Sequence, residues 1–91
     1  MGMYDSMYDE LGYEWQTKAL DQVLDSYHIG DPIPGESIDY QVPVIGGNDF
    51  SEAYATICDG ILTAVPVDRR ADLPIVDYRG YTPYFPEGEQ R

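Results

Sequence analysis

Basic residues are what this chain has least of. Against 17 acids it carries 5 bases, of which Lys18 is the one lysine, so the formal charge is −12. A surface of that sign repels phosphate, which argues against direct DNA or RNA binding and against docking on anionic membranes. Cysteine and histidine occur once each, as Cys58 and His28. An internal disulfide is thereby excluded, a four-ligand zinc centre fails by count, and a reducing compartment fits the lone thiol. There is no D-x-D-x-D-G calcium loop, and Gly46-Gly47 is followed by Asn48 and Asp49 rather than the Lys and Ser of a phosphate cradle. No apolar run approaches the roughly 18 residues of a membrane-spanning helix. The opening "MGMYDSMYDE" is acidic where a secretory leader is basic.

What is present bounds the rest. Ninety-one residues suit one small domain, and an apolar fraction of 43% is that of a folding chain rather than a disordered one. Tyrosine occurs nine times. The charge is uneven: residues 1–52 hold eleven acids against Lys18 alone, a net −10, while residues 53–91 hold six acids against four arginines, a net −2. One part of the surface is therefore expected to be strongly negative.

The clearest local signal is "AYATICDGILTAVPV", residues 53–67. Two β-prone runs flank Asp59-Gly60, a pair suited to the positive φ angles of a type I′ turn. Alternation places Tyr54, Thr56 and Cys58 on one face and Ala55 and Ile57 on the other. "IDYQVPVIGG" (38–47) reads as a second strand, with Pro43 implying an edge or a bulge, and "LPIVDY" (73–78) as a shorter one. The first third supports two readings. Tyr4, Met7, Tyr8, Leu11 and Trp15 follow helical spacing, with Ser6 and Asp9 as a capping pair, and Leu20, Val23, Leu24 and Tyr27 make a second helical stripe. Yet Tyr13, Trp15 and Thr17 alternate as in a strand, as do Val23, Asp25, Tyr27 and Ile29. The expected fold is mainly β, with α+β as the alternative. It is a single domain over 1–78 with about five short strands and at most one or two short helices, followed by a Pro/Gly-rich tail over 79–91.

"YDSMYDELGYEWQTKALDQVLD" (4–25) concentrates the charge, with six carboxylates among four aromatic rings. Asp5 and Asp9, Glu10 and Glu14, and Asp21 and Asp25 lie four residues apart, about 6 Å on a helix. Acids two apart on a strand are about 6.6 Å apart. Both spacings approach two steps of about 3.4 Å along a nucleic-acid strand. Like charges so placed cost a few tenths of a kcal/mol per pair, and interleaved Tyr and Trp offer rigid contact area. The candidate partner-binding residues are therefore Asp5, Tyr8, Asp9, Glu10, Tyr13, Glu14, Trp15, Asp21 and Asp25. The plain alternative is a solvated face with half-buried rings.

"MGMYD" at the start, then "WQTKALD", "YHIGD" and the strand–DG–strand hairpin, resemble a diffuse family of small phage and prophage proteins. The matching positions are Gly2, Met3, Tyr4, Asp5, Gln16, Thr17, Lys18, Leu20, Tyr27, Gly30 and Asp31. The resemblance implies a mobile-element origin and no activity; with the lone thiol, the expected location is the host-cell cytoplasm. Some relatives carry cysteine pairs suggestive of a zinc ribbon; this chain has none.

No catalytic constellation stands out. Cys58 with His28 is formally a nucleophile pair, but Cys58 precedes a hairpin turn, where a small hydrophobe fits, and no basic residue adjacent in sequence would activate the thiol. Among 17 acids some pair will always be close, so a carboxylate dyad is not readable from spacing. The expectation is a non-enzymatic protein without cofactor or metal. Its first reading is an acidic nucleic-acid mimic that inhibits a basic host DNA- or RNA-binding defence protein or nuclease complex, of anti-CRISPR or anti-restriction type. The alternative is a structural or accessory phage protein that self-associates or joins a virion. An immunity protein against a nuclease toxin is a further alternative.

Overall fold

A computed structural model describes residues 3–20, 22–35, 37–77 and 83–84. Among them there is no helix, and six strands form one mixed sheet: β1 Asp5–Tyr8, β2 Glu14–Thr17, β3 Ser26–His28, β4 Tyr40–Gly46, β5 Ser51–Cys58 and β6 Ile61–Val67. The order across the sheet is β3-β1-β2-β4-β5-β6, with β1 and β3 parallel and every other neighbour antiparallel. The mainly β fold is as the sequence implies, with one strand more than expected.

The hairpin at 53–67 forms as its sequence dictates. Asp59 (φ 55°) and Gly60 (φ 74°) both adopt the left-handed conformation of the type I′ turn. Ala55 and Ile57 face inward and are fully buried, while Tyr54 and Cys58 are half-buried on the other face. Thr56 shares that outer face but is buried too, its hydroxyl bonded to Thr63 Oγ1 at 2.7 Å.

Pro43 occupies an interior strand, between β2 and β5, and still obeys the edge rule locally. The β2 ladder covers only Gly46 and Ile45 of β4. Farther back, Ile75 bridges Gln41 in parallel. Pro43 lies between these two stretches, where its missing N–H interrupts no ladder bond. The expected strand at 73–78 is thus reduced, over its described part, to bridges at Ile75, one to Gln41 and one to Tyr84. Buried Gln41 anchors it: its Nε2 donates to the carbonyls of Arg70 (2.6 Å) and Leu73 (2.8 Å), and its Oε1 accepts from Arg70 N–H (2.9 Å).

The helical reading of the first third does not hold, for two local reasons. Residues 9–13 reverse the chain, so β1 and β2 pair as a hairpin, Met7 opposite Trp15 and Asp5 opposite Thr17. Ser6 accordingly donates its hydroxyl to Glu14 across the hairpin instead of capping a helix with Asp9. Beyond β2, Gln22 (φ 58°) and Leu24 (φ 63°) are left-handed, which breaks any helix through the Leu20–Tyr27 stripe. That bend is held from inside. Asp5, with no solvent exposure, accepts the N–H groups of Gln22 (2.8 Å), Val23 (3.0 Å) and Asp25 (3.0 Å).

The sheet then curls. After β3 a turn closed by Asp31 N–H to His28 O (2.9 Å) reverses the chain, and Pro32 bridges Ile61 antiparallel. Gly30 N–H to Leu62 O (2.8 Å), Leu62 N–H to Asp31 O (3.0 Å) and Ile33 N–H to Gly60 O (2.7 Å) lace the β3 side to the start of β6. Met7, Tyr40, Val42, Ala55, Ile57 and Leu62 fill the enclosed core. Among the described residues no helix is long and apolar enough to cross a membrane. The tail reading over 79–91 falls outside the described residues apart from Pro83 and Tyr84.

Candidate functional site

β1 and β4 run in the same direction with only β2 between them, so the β1–β2 turn and the β4–β5 turn leave the sheet at the same end. Trp15 ties these turns together. Its buried indole donates Nε1–H to Asp9 Oδ2 at 3.0 Å in the first turn. On the other side the ring lies so close to Gly47 that a Cβ there would approach Cζ2 to 2.4 Å. Gly47, at φ 76°, also donates its N–H to Glu14 O at 2.9 Å.

Asp9 organises the first turn. Its Oδ1 accepts the N–H groups of Leu11 and Tyr13, each at 2.9 Å, which leaves Glu10 and Leu11 at the tip. Partial desolvation works against its ionised form. The Trp15 indole and the backbone N–H groups of Tyr13, Leu11 and Gly12 outweigh it and hold the carboxyl below the usual carboxylate range. In the second turn Asp49 and Phe50 are exposed, Phe50 with φ 52°. The end of the sheet thus carries exposed Glu10 and Asp49 on the same turns as three projecting apolar groups, Leu11 (82% exposed), Phe50 (63%) and Tyr13 (40%), with the engaged carboxylates of Asp9 and Glu14 at its base. Neither turn contains a basic residue. Charge flanking large exposed hydrophobes is the usual make-up of a protein-binding patch.

The structure separates the residues singled out from sequence. Asp9, Glu10, Tyr13 and Glu14 gather on this rim, and Trp15 positions it from below. Tyr8 is half-buried on the outer face of β1 and stacks on His28, ring centroids 5.0 Å apart. Asp25 is exposed at the entry to β3, one residue before Ser26, which lies at the other end of β1 from Tyr8. Asp5 is consumed by the 22–25 bend and offers no carboxylate oxygen to a partner. Asp21 lies outside the described residues. Sequence reasoning passed over Asp49 and Phe50; a large aromatic closing a Gly-Gly-Asn-Asp loop was the available signal. Among the described residues no group of three or more His, Cys, Asp or Glu is placed to hold a metal ion. Comparison with protein-family models, characterised proteins and solved structures finds no match for this chain.

Proposed function

We propose that the protein is a non-enzymatic inhibitor that presents the Asp9–Glu10–Glu14–Asp49 rim to a basic, nucleic-acid-handling host protein, occupying the surface where that protein takes its DNA or RNA. One observation carries the reading: Leu11 and Phe50 stand 82% and 63% exposed on two turns that leave the same end of the sheet and carry Asp9, Glu10 and Asp49 but no base. An idle solvated face needs no such anchors, whereas a binding patch places them at its centre and charge at its margin. The net −10 of residues 1–52 supports it by steering association with a cationic groove, and the resemblance to small phage proteins is consistent with a host target. Self-association by strand pairing is less well supported, because the start of β6 is already paired with Gly30–Ile33.

Capture from host lysate tests the proposal. The tagged protein should retain a basic nucleic-acid-binding protein at low salt and release it to competing duplex or RNA. The combined Leu11→Ser, Phe50→Ser variant should lose capture while keeping the fold. Recovery of only the bait itself or of virion components sinks the reading.

A further inference from the structure

The outer face of the sheet carries a second feature, one row in from the turns. Where β2 ends at Thr17 and Pro43 interrupts the β4 edge, an open groove of about 290 Å³ forms. Pro43, Val44 and Ile45 lie along β4, Tyr4 and Tyr54 supply aromatic lining, and Lys18, Gln16 and Glu52 supply the polar groups. Lys18 is the chain's one lysine, and among the described residues no carboxylate lies within ion-pair distance of it.

Register sets the spacing of these groups. Gln16, Ile45 and Glu52 form one row across β2, β4 and β5; Pro43 and Tyr54 form the next, with Lys18 two residues beyond Gln16. Rows two residues apart are separated by about 6.6 Å, wide enough to seat a flat six-membered ring between them, with the side chains of Lys18 and Glu52 reaching past its ends. A cavity of about 150 Å³ holds benzene itself, so this groove has room for a ring and two polar groups. We propose that it binds a monocyclic aromatic carboxylate with a hydrogen-bond donor at its far end. The ring lies against Pro43 and Ile45 beside Tyr4 and Tyr54, the carboxylate meets the Lys18 ammonium, and the donor meets Glu52 and the Gln16 amide. Such a site shares no residue with the rim.

The test is titration of the full ¹⁵N-labelled chain with 4-hydroxybenzoate, 4-hydroxybenzamide and benzoate, followed by amide chemical shifts. The expected result is saturable shifts confined to residues 16–18, 44–45 and 52–54, with the neutral amide binding about fivefold more weakly, the worth of one exposed ion pair. Lys18→Gln should abolish that preference. Glu52→Gln should weaken 4-hydroxybenzoate and leave benzoate unchanged. Absence of saturation, shifts centred elsewhere, or equal affinity for amide and carboxylate in the native chain would overturn the proposal, as would failure of either variant to behave as stated while its spectrum remains folded.

Discussion

At the scale of the residue, two aspartates of the first strand and its turn have opposite fates. Asp5 is buried and saturates three backbone N–H groups of the 22–25 bend. Asp5→Ala removes the shared acceptor of three backbone N–H groups from a site with no solvent exposure, and the loss should be on the order of 3 kcal/mol in urea unfolding, a large share of a small domain's stability. Asp9 keeps partial access to solvent, and its lowered pKa makes it an acid-sensitive fastener. The folded state binds its proton less readily than the unfolded chain. Its contribution is therefore full above the unfolded value of about 3.9 and is lost as pH falls through the lower folded value. Thermal unfolding of Asp9→Asn against the native chain should show a stability gap at neutral pH that closes toward pH 2. Neither fate was legible in the sequence. Both residues read as surface acids, because the N–H groups that capture Asp5 come from a bend whose left-handed residues, Gln22 and Leu24, carry no local signature.

At the scale of the element, legibility followed the turns. Asp59-Gly60 prescribes its own φ angles, so the turn of the hairpin was readable, whereas the start of β5 at Ser51 and the register shifts around Thr56 were not. The β1–β2 hairpin was not. Met7 and Trp15 satisfy a helical stripe and a strand alternation equally, and the arbiter is the Asp9 carboxylate gathering Leu11 and Tyr13 N–H, a local turn bond that competes with a helix cap at the same residue. Pro43 was readable as an edge residue, but that an interior strand would be left locally bare by a short β2 depends on where β2 stops. Two variants probe these joints. Gly47→Ala drives a methyl into the Trp15 ring at a left-handed position, and should cost about 2 kcal/mol with a change in the emission of this sole tryptophan. Gln41→Leu leaves the carbonyls of Arg70 and Leu73 without their amide donor. It should accelerate hydrogen exchange at Ile75 and Val76 well before the amides of β5, since those bridges depend on the 70–73 segment being held.

At the scale of the whole molecule, a net charge of −12 on so small a body is self-repulsive. Screening should therefore stabilise it: the melting temperature is expected to rise as ionic strength goes from about 0.01 M, where charges interact over about 30 Å, to about 0.15 M, where they interact over about 8 Å. A melting temperature indifferent to salt would mean that the carboxylates are better compensated than the rim geometry implies. The same salt should weaken partner capture, so stability and binding should move in opposite directions along one axis. That opposition separates a working acidic surface from a merely solubilising one.

The lacing of Gly30–Ile33 to Gly60–Leu62 has a consequence for biosynthesis. The β1–β2 hairpin has both of its strands once Thr17 has left the ribosome, yet the curl closes only after Leu62 has followed, some thirty positions behind its partner Gly30. Contacts of such long range form late, because the intervening chain must first be ordered. Until Leu62 has emerged the β3 side has no seam partner, and the net −10 of residues 1–52 sets like charge against like charge on neighbouring unfinished copies.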